Sequence, residues 1–121
     1  MRLQFIQLFS NILSNAIKYS SKDLVPYIQI TNTLEKEEGG MSGESKAFYT
    51  IKIADNGIGF MQEYADKMFE LFRRLESSPG YTGMGIGLAI CKKIVFNHQG
   101  TISASGEPGK GAIITIRLPV L

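Results

Sequence analysis

Tryptophan is missing from this 121-residue chain, cysteine occurs once, at Cys91, and proline only four times. A single cysteine cannot pair within the chain, which excludes a disulfide framework and any cysteine-based metal site. Long hydrophobic runs are also missing. A membrane-crossing helix needs about 20 consecutive apolar residues, and the N-terminal MRLQFIQLFSN lacks the pattern of a cleavable leader. The setting expected is therefore reducing and cytoplasmic, with no direct membrane contact from this chain. Charge of one sign is scarce as well: 13 Lys plus Arg against 11 Asp plus Glu leave a net +2. Nucleic-acid binders carry a basic patch or stripe beyond that, so no nucleic acid is expected and any acidic ligand must be held locally. With 44% apolar residues, a chain of this length builds one domain, residues 1–121, hiding about two-thirds of the surface it would expose unfolded. Glycine is plentiful. Of 13 glycines, eight lie between Gly80 and Gly111, which suggests backbone built to approach something closely.

Apolar Phe5, Ile6, Phe9, Ile12, Leu13, Ala16 and Ile17 recur at helical spacing and predict a helix over Leu3–Tyr19, ended by Ser20-Ser21 ahead of Asp23 and Pro26. Alternation predicts strands over Tyr27–Leu34, with Ile28 and Ile30 on one face, and Phe48–Asp55, with Ile51 and Ile53 inward. EKEEGGMSGESK between them reads as a solvated connection without chemistry. After DNGIGF, the mixed segment MQEYADKMFELFRRLESSPGYTG reads as a flexible lid. A second helix is expected over Leu88–His98 with Gly100 at its C-cap, Cys91 as a small core residue, and Lys92 and Lys93 on a solvated face. Thr101–Ser105 and Ala112–Leu118 read as strands around a tight Gly106–Gly111 hairpin. The layer logic gives an α/β two-layer sandwich, its mixed, mostly antiparallel sheet covered on one face by helices.

Three stretches carry chemistry. Gln4, Gln7, Asn11, Asn15 and Lys18 fall on one side of the first helix, opposite Phe5, Phe9, Ile12 and Ala16. Two asparagines inside a helix cost propensity, and a merely wet face would favour Glu and Lys. An Asn oxygen can complete the oxygen shell of Mg²⁺ and a Lys one turn on can meet phosphate; a solvated helix face accounts for the stripe equally well. Asp55 shares parity with Ile51 and Ile53 and so points inward, where it needs partners such as a purine's exocyclic amine. Asp-Asn-Gly is also ordinary turn vocabulary. Gly80, Gly83, Gly85 and Gly87 precede the second helix, whose free N–H groups can face polyphosphate. That run is neither a P-loop nor a Rossmann fingerprint. Together the three stretches read as walls of one nucleotide pocket, with metal and phosphates between the helices.

Four boxes in order, FSNILSNAIKYS, DNGIGF, FELFRRL and GMGIGLA, with the ending GKGAIITIRLP, resemble the catalytic and ATP-binding domain of bacterial sensor histidine kinases, in the wider gyrase, Hsp90, histidine kinase and MutL ATPase superfamily. The resemblance implies a Bergerat-type ATP-binding fold with an ATP lid, and ATP and Mg²⁺ as ligands. Residue by residue, it implies that Asn15 coordinates Mg²⁺, Asn11 supports it, Lys18 and Tyr19 contact nucleotide, and Asp55 accepts from the adenine amine. Gly57, Gly59 and Phe60 would lie in the base-side box. Gly83, Gly85, Gly87 and Leu88 match the residues that wrap the phosphates, with Thr82, Met84 and Ile86 in the same stretch. Phe69, Phe72, Arg73 and Arg74 match the lid and its docking surface, the two arginines with a catalytic part. Met84 departs from the usual Thr, at a cost to affinity more than to function.

Asn11 stands where hydrolysing relatives carry Glu and cannot serve as general base, so net hydrolysis should be slow. The implied partner is the dimerisation and histidine-phosphotransfer domain of a parent kinase, and indirectly its response regulator. Such domains usually have strands ahead of the first box, so the chain reads as N-terminally clipped and unable to phosphorylate itself. His98 reads as a packed or capping imidazole, not the acceptor. A serine kinase resembling anti-sigma factors, or a nucleotide-gated interaction module without catalysis, are the alternatives. FRRL and GMGIGLAICKKIV favour the sensor kinase.

Overall fold

The computed structural model describes residues 2–22, 24–37, 46–65, 67–69 and 86–120. Its first helix, α1 (Arg2–Lys18), buries Leu8, Ile12 and Ala16, four residues apart and therefore stacked along one face, with Phe5 and Phe9 packed partly against them. The apolar periodicity had left Leu8 out, yet it is 0% exposed, whereas Ile6 and Ile17 are 58% and 60% exposed. Rotation explains the difference. At about 100° per residue, Asn11 and Asn15 immediately precede Ile12 and Ala16, so the polar stripe borders the core rather than lying opposite it. The flank on the other side of the core is apolar, formed by Ile6, Phe9, Leu13 and Ile17.

Four strands follow in two hairpins: β1 (Ile28–Glu37), β2 (Lys46–Asp55), β3 (Thr101–Glu107) and β4 (Gly111–Pro119). They form one sheet in the order β1-β2-β4-β3, each pairing antiparallel. Register places Ile53 opposite Ile114 and Ile114 opposite Ala104, and likewise Ile51, Ile116 and Ile102 in a row. These rows face the helices. The second helix, α2 (Ile86–Asn97), adds Leu88, Cys91, Ile94 and Val95 to the same core. The expected sandwich with helices on one face is what forms. β1 is the exception to its pattern: it is a sheet edge, and Ile30, on the helix-facing side, is 53% exposed.

β1 and β2 run further than alternation predicted, taking Glu35, Lys36, Glu37 and Lys46 out of the expected connection and, with Ala47, into the sheet. On the outer face, the Arg117 guanidinium of β4 sits 4.1 Å from the Phe48 ring centroid and pairs with Glu35, at 3.9 Å, and with Glu37. It thereby reaches across β2 to the edge strand.

The predicted lid begins as two 3₁₀ turns, Gln62–Tyr64 and Lys67–Phe69. Phe69, expected on an exposed docking surface, is 7% exposed and belongs to the core. Its apolar ring gains more from packing among the buried side chains than from a surface position. Phe72, Arg73, Arg74, Thr82, Gly83, Met84 and Gly85 lie outside the described residues.

α2 starts two residues before the predicted Leu88 and ends in a Schellman arrangement, with Gln99 N–H donating to Phe96 O at 2.9 Å and Gly100 N–H to Val95 O at 2.9 Å. The left-handed residue is Gln99, φ 63°, and not the expected Gly100. His98 is packed: its Nδ1 is 2.9 Å from Ile94 O and its ring 4.6 Å from that of Phe5. Among the described residues no helix is long and apolar enough to cross a membrane.

Leu8→Ala is expected to destabilise the domain by about 2–5 kcal/mol, as buried leucines do, while Ile6→Ala changes stability by no more than about 1 kcal/mol. Urea unfolding of both variants checks this.

Candidate functional site

Two points along α1 touch two different parts of the molecule. At its C-terminal end the Tyr19 carbonyl accepts the Ile58 N–H at 2.9 Å, which brings the helix against the turn that follows β2. A Cβ at Gly57 would lie 2.5 Å from Tyr19 O; only glycine lets the turn come this close. At the middle of the helix, Asn11 Nδ2 points to Gly87 O on the first turn of α2, at 3.5 Å. Asn11 also bonds the Cys91 thiol, which lowers the thiol's pKa, but burial outweighs this and pushes it up to about 11. Cys91 is thus an inert core thiol, donating to Leu8 O at 3.6 Å.

Asn15 and Lys18 stand on the stretch of α1 between these contacts, each half-buried. The Lys18 ammonium lies 5.5 Å from the Tyr19 ring centroid. α1 therefore joins the start of α2 to the end of β2, and it brings Asn11, Asn15, Lys18, Tyr19, Gly57 and Gly87 into one neighbourhood.

Asp55 ends β2 half-buried, on the helix-facing side. Its Oδ1 accepts two backbone hydrogen bonds, from Gly57 N–H at 2.8 Å and Ala112 N–H at 3.3 Å. Oδ2 has no hydrogen-bond partner among the described residues. Burial lifts the carboxyl above its ordinary 3.8, and the two N–H donors pull against that shift without cancelling it. One oxygen is thus anchored and the other remains an acceptor.

The turn after Asp55 is set by the β3–β4 hairpin. Gly109 N–H donates to Ile58 O at 2.8 Å. Gly59, at φ 70°, fits where a Cβ would lie 2.1 Å from Glu107 O, and Gly111, at φ 98°, fits against Asp55 O. Asn56 ties the turn in another direction: its Oδ1 accepts Tyr27 N–H at 2.8 Å and its Nδ2 donates to Val25 O at 3.0 Å, securing the segment that leads into β1.

Phe60 is 5% exposed, its ring packed on Gly106, and Leu88 is also buried in the core, so what these two side chains do in the structure is packing. The hairpin residues Gly109 and Ala112, and Asn56, had no functional reading in the sequence. GEPGKG was legible as a hairpin, but its partner, some 50 residues earlier, was not.

Among the described residues no three His, Cys, Asp or Glu side chains gather as a metal site. A hard cation beside α1 would find the neutral Asn15 carboxamide as its protein ligand, and a phosphate-bearing ligand would have to supply the remaining oxygens and the charge. That donor set fits magnesium arriving with a nucleotide.

The sequence profile of the family described as histidine kinase-, DNA gyrase B-, and HSP90-like ATPase matches residues 2–121. Cyanobacterial phytochrome A of Nostoc sp. is 38% identical over 97% of this chain, and sensor protein EvgS of Escherichia coli K12 is 35% identical over 96%. The chain spans 14% and 9% of the lengths of those relatives. Among solved structures, the mycobacterial sensor histidine kinase MprB superposes with a TM-score of 0.66 at 27% identity, covering 93% of this chain and 68% of that one. The catalytic domain of histidine kinase ThkA gives 0.72 at 22% identity, covering 98% of this chain and 69% of that one, a likeness of fold. Full-length ShkA in complex with AMPPNP gives 0.69 at 24% identity, covering 96% of this chain and 21% of that one. With the anchored Asp55 turn, the amide-bearing α1 and the sheet order all in place, the chain belongs to the histidine kinase-, DNA gyrase B- and HSP90-like ATPase family, as a histidine kinase-type ATPase domain.

Proposed function

We propose that this domain binds Mg-ATP and donates the γ-phosphoryl group to a histidine on a separate helical domain of a sensor kinase. The observation that carries the reading is Asp55: one oxygen held by Gly57 and Ala112 N–H, the other without a hydrogen-bond partner among the described residues, at the start of a turn that α1 itself touches. An oriented, half-buried acceptor beside glycine backbone suits the exocyclic amine of adenine. Asn15 and Lys18, on the run of α1 between that turn and α2, suit the phosphate end. A related kinase, ShkA, has been solved with AMPPNP, which supports an adenine nucleotide as ligand.

In this reading, Asp55 accepts from the base and Lys18 meets phosphate charge. Asn15 would hold magnesium, which would supply charge neutralisation to the phosphates. Asn11 holds α1 to α2, and as an amide it activates no water. Phosphoryl transfer asks mainly for such positioning and charge neutralisation. Thr82, Gly83, Met84, Gly85 and the backbone at Ile86, Gly87 and Leu88 are proposed for the phosphates, and Arg73 and Arg74 for the transfer step. The partner proposed is a dimeric histidine-bearing helical domain, with a response regulator downstream.

The direct test supplies labelled ATP and a separately expressed acceptor domain from the parent protein. Label is expected on the acceptor histidine and not on this chain. Label on neither protein, with nucleotide bound, would instead favour a binding module without catalysis.

Asp55→Asn separates binding from folding. Because the folded carboxyl holds its proton more tightly than the unfolded one, Asp55 adds stability below pH 3.8, and that contribution is lost as pH rises through the raised value. At neutral pH the amide variant is therefore expected to melt no lower than the parent, with the difference shrinking or reversing in acid. Its ADP affinity should fall about tenfold or more, the scale of a hydrogen bond to a charged group. Calorimetry and melting curves read the two effects separately. For magnesium, Asn15→Ala is expected to bind ATP with an affinity that barely responds to added Mg²⁺, where the parent's rises; titration with and without chelator checks it.

A further inference from the structure

β3 is an edge strand, with β4 on one side only. Along its open edge the carbonyl of Ala104 and the N–H of Gly106 are both taken by a single side chain: Gln62 Nε2 donates to Ala104 O at 3.2 Å, and Gly106 N–H donates to Gln62 Oε1 at 3.0 Å. One carboxamide thus makes the paired donor and acceptor contacts that a neighbouring strand residue would make. Gln62 opens a 3₁₀ turn with an otherwise exposed side chain, so this clasp is its visible work.

The place it grips is also the place against which the Asp55 turn rests. A Cβ on Gly106 would lie 2.6–2.8 Å from atoms of the Phe60 ring, and one on Gly59 would lie 2.1 Å from the Glu107 carbonyl. Residues 59, 60 and 62 are therefore laid against residues 104, 106 and 107 in successive contacts. The turn from Asp55 to Phe60 is held at its start by β2 and the Ala112 N–H, and beyond its end by Gln62. Between these points the Ile58 carbonyl takes the Gly109 N–H of the hairpin, and among the described residues no side chain of the turn itself bonds β3.

We propose that Gln62 is a positioning residue for base recognition: its clasp on β3 holds the far end of the turn so that the open oxygen of Asp55 keeps a fixed direction. The proposal rests on the adenine reading of Asp55 given above. Gln62 touches no ligand in it and acts through Phe60, Gly59 and Gly106.

The test uses the 121-residue chain and two variants, Gln62→Ala and Gln62→Glu, the second keeping an acceptor for Gly106 N–H while losing the donor to Ala104 O. Amide hydrogen exchange at Gly106 is read without nucleotide, and calorimetry compares ADP with IDP, whose base carries a carbonyl in place of the exocyclic amine. Exchange at Gly106 is expected to quicken about fivefold in Gln62→Ala, the factor of one net hydrogen bond. The preference for ADP over IDP should fall by a similar factor, and by less in Gln62→Glu. Quickened exchange with an unchanged preference would mean that Gln62 only closes a strand edge, and the proposal would be overturned. Unchanged exchange would overturn it too. If the parent binds ADP and IDP alike, it is the adenine reading of Asp55 that fails, and that result is distinguishable because it appears before any substitution.

Discussion

Everything near the site depends on how one carboxylate is held. Asp55 sits where the sheet ends and burial begins, and a carboxylate there is costly unless hydrogen bonds compensate it. Both of the bonds observed fall on the same oxygen, from Gly57 on its own turn and from Ala112 on the neighbouring strand. Because Ala112 stands directly opposite Asp55 in the β2–β4 register, a shift of that register by one residue would remove the donor and turn the carboxylate to the other face. Sheet pairing and the setting of this carboxylate are thus one constraint.

The glycines around this point serve the protein's own backbone before they serve any ligand. At Gly57 and Gly59 the room that a side chain would need is taken by the carbonyls of Tyr19 and Glu107. The turn is wedged between the end of α1 and the β3–β4 hairpin. Asn56 adds a third attachment, toward the segment entering β1. A turn held from three sides has little conformational freedom left to lose, which is the physical meaning of preorganisation.

α1 has a double allegiance. Leu8, Ile12 and Ala16 commit it to the core, and the amide stripe borders that buried face. Asn11 accordingly bonds the backbone of α2, and Asn15 stays half-buried beside it. A stripe placed opposite the core would have been wet and far from both α2 and the Asp55 turn. The side that does lie opposite carries Leu3, Ser10 and Ser14, all exposed.

Much of the fold was legible because periodicity reports burial directly. Both helices, all four strands and the inward parity of Asp55 follow from spacing alone, and the boxes that carry the family resemblance supply the residues proposed for the site. Periodicity failed where the environment is set by distant chain. Leu8 and Ile6 look alike in sequence, and Phe69 reads as a lid residue until α2 packs near it. Ile30 alternates like a core residue but stands on an edge. Gln62, an unremarked polar residue after a glycine turn, gained its role only when β3 was laid beside it. What the sequence by itself determined are the local elements and the chemical types at the site, since these depend on neighbours within a few residues. Only the tertiary structure decided which carbonyls fill the glycine spaces, which oxygen of Asp55 has no partner among the described residues and which edge Gln62 closes, because each depends on contacts between residues about 38 to 57 positions apart.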